Sequence, residues 1–312
     1  MNIFVTGGAG FIGSHLVDRL INERNTVTVY DNLSSGKKQF IEHHLQKDNF
    51  TFIEADLLDL ENVTKKIKDH DVVFHIAANP DVKLGAQQPD IAKRDILATY
   101  NLLDAMRMSD IKKIVFSSSS TIYGETPEFP LPESYGPLLP ISVYGAAKLA
   151  AEGLISSFCH TFDMQGWIFR FANVVGERGT HGVIVDFINK LRISPNKLEI
   201  LGDGRQRKPY LYVEDCVGGM YFGFEHSNEQ INIFNLGCNT ATEVTRIAEI
   251  VVEEMGLNNV KFTYTGGKRG WKGDVPQFQF DISKMKKLGW KATVTSDEAV
   301  RKTTRILLDT NI

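Results

Sequence analysis

Residues 1–13 read MNIFVTGGAGFIG. Asn2 to Thr6 is a short run of apolar and β-branched residues, the pattern of a buried strand. It leads through Gly7 into Gly8-Ala9-Gly10-Phe11-Ile12-Gly13, a G-x-G-x-x-G. Phe11, Ile12, Leu16, Val17 and Leu20 then recur at helical spacing. Strand, glycine turn and helix in that order are the dinucleotide-binding fingerprint. The first glycines permit a tight turn and a close approach of backbone to a pyrophosphate. The last lets helix and strand pack closely, and the diphosphate rests on the helix N-terminus. The plainer reading is an ordinary tight turn. Against it, Gly10 and Gly13 run into the helix, where a glycine costs about 1 kcal/mol relative to alanine. A bound diphosphate gives that cost a reason. Gly7, Gly10, Phe11, Ile12 and Gly13 are therefore the first cofactor contacts expected.

Outward from this turn, apolar runs and helical patterns alternate. Strands are expected at 26–30, 50–54, 71–76, 113–117 and 167–171, with helices at 13–24, 60–69, 89–108 and 142–162. Residues 34–46 are less regular. Nearly all-apolar strands alternating with helices imply a parallel sheet covered on both faces. The fold class expected is α/β: a doubly wound parallel Rossmann sheet, order 3-2-1-4-5-6, with a smaller loop-rich α/β substrate lobe. Ligands then sit beyond the strand C-terminal ends. After Gly176 glycine and proline become frequent and segments shorten. The division expected is a cofactor-binding domain over 1–175, rejoined by parts of 210–240, and a substrate lobe over 176–312. In that lobe, short strands at 210–213 and 233–236 flank a helix at 213–226. Further helices are expected at 242–255 and 282–288.

A formal charge of −3 gives no electrostatic case for nucleic acid or an anionic membrane. No apolar run reaches the roughly 18 residues that a membrane-spanning helix needs, so none is expected. With the first strand beginning at residue 2, no signal peptide is expected. Cys159, Cys216 and Cys238 are scattered and odd in number, the usage of reduced thiols in a cytoplasmic protein. No His/Cys/Asp cluster has metal-ligand spacing, so no metal is expected. His75, in a strand, and His181, in a loop, read first as structural, with His181 also a candidate on the substrate side.

Asp31 ends the second strand, the one that follows the glycine turn and its helix. An acidic residue there hydrogen-bonds the adenosine ribose hydroxyls and repels a 2′-phosphate. No arginine follows in Asn32-Leu33-Ser34-Ser35-Gly36, so NAD is favoured over NADP. Asn32, Ser35 and Gly36 are counted with it. Asp56-Leu57 fall where the adenine would be met, and Ala77-Ala78 are small enough for close approach of a cofactor. Tyr144 and Lys148 form Y-x-x-x-K on one helix face. A tyrosine base must ionise near neutrality although its reference pKa is about 10. A cation roughly 4 Å away, at an effective dielectric near 20, is worth about 4 kcal/mol before desolvation. That is close to three pKa units, so Lys148 is expected to lower Tyr144. Ser117-Ser118-Ser119-Ser120-Thr121 is a hydroxyl cluster leaving a strand end, suited to bonding a substrate hydroxyl or ketone.

With these pieces in place the chain resembles the extended short-chain dehydrogenase/reductases, in particular nucleotide-sugar epimerases of the UDP-glucose 4-epimerase type. The matching segments are TGGAGFIGSHL (6–16), DNLSSG (31–36), DVVFHIAA (71–78), SSSSTIYGE (117–125), VYGAAK (143–148) and FRFANVVG (169–176). Weaker matches at 201–206, 212–216 and 273–290 extend the likeness over essentially the whole chain. The resemblance implies Ser119 as catalytic hydroxyl and Tyr144 as general base, with Lys148 holding the nicotinamide ribose. It implies Asn173 on the sugar-nucleotide phosphates, with Lys83, Ser120 and Asp274 among the substrate contacts. It also implies a nucleotide-sugar substrate, UDP-hexose foremost, epimerised at C4 through a transient 4-keto sugar, and a homodimer built on the helices at 89–108 and 142–162. Related 4,6-dehydratases carry Asp-Glu after the catalytic hydroxyl. Ser120-Thr121 stand there instead, which disfavours dehydration. In the substrate lobe the family's phosphate-binding arginines are altered. Lys208 replaces one, with Arg207 beside it, and Arg269 is displaced from the other, so any of the three is open as the diphosphate ligand. Asp95 stands where an asparagine near the cofactor is common, and Phe278 falls near the hexose pocket. The alternatives are another NAD-dependent sugar-nucleotide conversion (uronate epimerase, decarboxylase or reductase) and a non-enzymatic NAD(H)-binding protein.

Overall fold

A computed structural model describes residues 1–82, 85 and 87–310. β1 (Asn2–Thr6) lies inside a seven-stranded sheet with β2 (Thr26–Asp31), β3 (Phe50–Glu54), β4 (Val72–His75), β5 (Lys113–Ser119) and β6 (Gln165–Phe171). All pairings are parallel, in the order β6-β5-β4-β1-β2-β3, with the strand Ile231–Leu236 added outside β6. That is the expected doubly wound order plus one returning strand. β1 shows why the strands are apolar throughout. Successive side chains point to opposite faces, so Ile3 and Val5 enter one core while Phe4 enters the other, and all three are fully shielded.

The first core is closed by α1 (Phe11–Asn22) and α6 (Val213–Glu225), through Leu16, Val17, Leu20 and Met220. The second is closed by α2 (Leu60–Lys66), α3 (Asp90–Met108) and α4 (Val143–Thr161), through Val63, Leu102, Met106 and Ile155. β5 runs past Ser117, where the sequence pattern ends it, so Ser118 and Ser119 are strand residues rather than loop residues. Residues 34–46 contain two short 3-10 turns, Lys38–Phe40 and Glu42–His44.

Beyond residue 176 a third core forms. α5 (Val183–Ile193), α7 (Val244–Glu254) and α9 (Ser296–Asp309) pack around a parallel pair, Lys197–Ile200 with Lys261–Tyr264. The sequence reading anticipates α7 but neither α5, α9 nor this pair. α9 nevertheless opens on a capping box in which Thr295 and Glu298 satisfy each other's backbone N–H. Tyr210–Tyr212 pairs with Asn173–Val175, outside the main sheet. α8 (Ser283–Leu288) lies against the returning strand. Among the described residues no helix is long and apolar enough to cross a membrane.

Candidate active site

The C-terminal ends of the sheet strands open into a cavity of about 850 Å3. One wall is the glycine turn. Gly7 adopts φ +71°, and a β-carbon there would lie 2.6 Å from the Ala77 nitrogen. A β-carbon at Gly13 would lie 2.0 Å from the Gly7 carbonyl oxygen. The turn is thus as narrow as backbone allows, and the Gly10 N–H closes it onto Gly7 O at 3.1 Å. Asp31 is buried beneath it. Its Oδ2 accepts the Ala9 N–H at 2.9 Å and its Oδ1 accepts the Leu33 N–H at 2.8 Å. Burial pushes this carboxyl up, and the two N–H bonds work against that. Asp31 braces the turn and still lines the cavity, with lone pairs left for a ribose. Asn32 donates to Asp56 at 3.0 Å, and Phe11, Ile12, Ser35, Leu57, Ala77 and Ala78 complete this wall. Gly36 is not on it; Gly36 packs beneath Ala9. A cradle that a β-carbon would fill, over a buried carboxylate and with the lining Arg94 turned to Asp56 at 3.5 Å, fits a dinucleotide without a 2′-phosphate.

The floor carries the hydroxyl chemistry. Ser119 is the last residue of β5, and its Oγ accepts the Thr121 N–H at 3.2 Å and the Thr121 hydroxyl at 2.9 Å. Tyr144 lies in the first turn of α4, set by the Ser142 side chain capping the Gly145 N–H, and it is near enough to Ser119 for that hydroxyl to pull its ionisation down. Lys148 follows one turn on and is buried. Its Nζ donates to Ser117 O at 2.6 Å and lies 5.9 Å from the Tyr144 ring centre. The expectation that Lys148 lowers the tyrosine is not met in this arrangement. Burial pushes Tyr144 up to about 12, with the Ser119 hydroxyl pulling down and Asp95 pushing further up. Burial pulls Lys148 down to about 8, against Asp95 and Glu152. Desolvation of both groups outweighs their attraction because the ammonium is aimed at a carbonyl and not at the phenol.

The opposite wall comes from the second half of the chain. Asn173 lies on it, as do Lys208 and Asp274, which pair at 2.5 Å with Asp274 nearly enclosed, while Ser120 lines the cavity beside Ser119 at the floor. The Lys208 ammonium sits 5.4 Å from the Trp271 ring centre. Trp271 Nε1 is shielded and, among the described residues, has no hydrogen-bond partner. Phe278 is buried at this wall. Of the three cations left open by sequence, Lys208 is the one facing the cavity. Arg207 is exposed in a short antiparallel pairing with Glu243, and Arg269 is engaged by Glu125 at 2.6 Å. Neither arginine lines the cavity. Lys83 lies outside the described residues.

The family model of the NAD dependent epimerase/dehydratase family matches residues 3–237, from β1 through the returning strand. The chain belongs to that family. It is an NAD-dependent, extended short-chain dehydrogenase/reductase-type protein, as the glycine turn and Asp31 require. A UDP-glucose 4-epimerase of Mycolicibacterium smegmatis is 30% identical over 318 residues, covering 97% of each chain. A crystal structure of UDP-galactose 4-epimerase superposes with TM-score 0.89 at 42% identity, covering 99% of each chain. A UDP-N-acetylglucosamine 4-epimerase from Methanobrevibacter ruminantium M1, in complex with UDP-N-acetylmuramic acid, superposes with TM-score 0.87 at 32% identity, covering 99% of this chain and 98% of that one.

In this epimerase/dehydratase-family protein the floor rests on a buried network that the sequence reading does not name. Glu152 accepts the Ser118 hydroxyl at 2.5 Å and takes both Arg170 Nε and Nη2, at 3.1 and 2.8 Å. Arg170 also donates to Tyr123 at 2.8 Å, and Tyr123 donates to Asn235 at 2.8 Å. This ties β5, β6, α4 and the returning strand together directly beneath Ser119. The available signal was Arg170 inside the apolar strand Gln165–Phe171, since a charge there must find a partner. The absence of a metal-spacing cluster is also revised. Folding brings Asp18, His43 and His44 together, with their ligand atoms within 4.8 Å of one another. None lines the cavity. Arg178 pairs with Asp18 at 2.8 Å and the Lys47 ammonium lies 2.9 Å from His44 Nδ1. Burial pushes Asp18 up, but the bonds from His44 and His43 and the charge of Arg178 hold it at about 2. The cluster is already flanked by two cations, which opposes a third positive charge.

Proposed function

We propose that this protein interconverts the C4 epimers of a nucleotide-activated hexose, UDP-glucose and UDP-galactose foremost. The observation that carries the reading is the floor of the cavity. Ser119 and Tyr144 meet there, Lys148 lies behind them bonded to Ser117 O, and Ser120 and Thr121 line the site where a dehydratase would need carboxylates. Tyr144 as phenolate takes the proton of the sugar 4-hydroxyl and returns it. Ser119, beside Tyr144, holds the same oxygen in line. Lys148, fixed by Ser117 O, keeps a positive charge beneath the phenol. When bound, NAD supplies a cationic ring that favours the phenolate and a reversible hydride acceptor, so a transient 4-keto sugar can be reduced from its other face. Residues 176–312 supply the nucleotide-sugar contacts, with Lys208 toward the diphosphate and Phe278 toward the hexose.

The test is incubation of the NAD-loaded protein with UDP-, dTDP- and GDP-sugars, reading products and NADH together. The expected result is a redox-neutral glucose/galactose interconversion, reduced about a hundredfold or more in Tyr144→Phe, the range for loss of a general base. Net NADH consumption or loss of CO2 would assign the site to a reductase or decarboxylase instead. The chain is further proposed to work as a homodimer. Leu97 and Tyr100 of α3 are 44% and 43% exposed, and Tyr100 meets Phe158 of α4 edge-on, a ridge suited to a two-fold helix pairing. A monomer by light scattering at working concentration would contradict this.

A further inference from the structure

We infer that Asp95 is a positioning residue for the Tyr144–Lys148 pair: its anchored carboxylate, in the partition between the cavity and Lys148, sets the pH window in which Tyr144 can exchange a proton. This rests on the reading of Tyr144 as the base. Asp95 lies on the inward side of α3, and both its oxygens accept the Asn79 N–H, at 3.3 and 3.2 Å. The side chain borders two spaces. One is the main cavity, which Tyr144 also lines. The other is a void of about 10 Å3 behind it, shared with Lys148, Ala77, Thr99 and Phe116. That volume is at the lower limit for one water. Asp95 and Lys148 therefore meet across a gap that holds one water at most.

Every packed element contributes to the field at this pair. From α4 comes Glu152, but Arg170 of β6 and Ser118 of β5 already engage it. From β4 comes His75, enclosed between the Thr6 and Thr99 hydroxyls and held neutral by burial and by Lys148. β5 presents the Ser117 carbonyl and the Ser119 hydroxyl. α3 presents Arg94, whose guanidinium is turned to Asp56 at 3.5 Å, and Asp95. Among the described residues Asp95 makes no direct ion pair. Its charge acts through space on Lys148 and Tyr144.

Both effects have one sign. The carboxylate keeps the buried ammonium protonated to higher pH, and it opposes ionisation of the phenol. Removing the charge lowers both titrations. A unit charge several ångströms away, at the effective dielectric of a protein interior, moves a neighbour by about one pH unit.

The test is Asp95→Asn, which keeps an oxygen for the Asn79 N–H, in the full chain with NAD bound. Tyr144 ionisation is followed without substrate by the near-ultraviolet absorbance of tyrosinate, as the difference from the matching Tyr144→Phe protein. The pH profile of kcat is the second readout. The tyrosinate midpoint and both limbs of the profile should move to lower pH by about one unit, while Asp95→Glu stays near the parent. A midpoint that stays or rises overturns the inference. If Asp95→Asn does not fold, Asp95→Ser carries the same expectation. The absorbance arm needs no turnover, so failure to find an epimerisable sugar would sink the proposed function while the titration still judges Asp95.

Discussion

The two walls of the cavity are built on different principles. The cofactor wall comes mainly from the chain between Gly7 and Leu57, and its contacts are backbone and one buried carboxylate held by two N–H groups. The substrate wall draws on Asn173, Lys208, Trp271, Asp274 and Phe278, far apart in the chain, and its cation is already matched to Asp274. A backbone cradle is preorganised, since nothing has to leave when a diphosphate arrives. On the other wall an incoming diphosphate must share Lys208 with Asp274 or displace it. The first arrangement suits a ligand that stays. The second suits one that exchanges.

That contrast can be broken at the cradle most severely. Gly13→Val should abolish NAD retention and lower the thermal midpoint, because its β-carbon would overlap Gly7 O; cofactor content after purification and a melting curve measure both. On the exchanging wall the effect should be smaller and confined to substrate. Lys208→Met should raise KM for the sugar nucleotide about ten- to a hundredfold with kcat little changed, the worth of a charge-assisted bond. Unchanged KM would move the diphosphate away from this wall.

A third prediction concerns the floor, which both walls share. Lys148 is held at about 8, so kcat should fall as pH rises above about 8 and the cation is lost. Its folded pKa lies below its ordinary value of 10.5. The unfolded chain thus binds more protons between the two, and stability from this group is full above 10.5 and declines as pH falls from there to about 8. Lys148→Met should accordingly be inactive yet no less stable than the parent at neutral pH; an activity assay paired with chemical denaturation decides it. The mildest effect is expected at the hexose end. Phe278→Ser should improve turnover of an N-acetylated sugar nucleotide relative to its plain counterpart by about tenfold or less, the usual reach of a hydrophobic pocket. No change in that ratio would remove Phe278 from the specificity pocket.

Much of this was readable in the chain because it is local. A strand pattern, a glycine turn and an acid at the end of the next strand are short-range signals, and together they were enough to place a cofactor. The pairing of Tyr144 with Lys148 was legible for the same reason, since positions one turn apart on a helix are neighbours by geometry. What those two groups do electrically was not legible. It depends on burial and on Asp95, which reaches them from another helix. The cation among Arg207, Lys208 and Arg269 could not be chosen either, because Asp274 and Glu125 select between them only after folding.

By itself, then, the sequence determined a parallel sheet, through its alternating apolar strands and helices, and a cradle for NAD, through residues 1–13 with Asp31, because backbone freedom and side-chain period act within a few residues. The tertiary structure decided the rest. It carried β5 on to Ser119, set Glu152 against Arg170 beneath it and matched Lys208 to Asp274. Those are interactions between charges far apart in the chain, and their strength is set by a dielectric that exists only once the cores have closed.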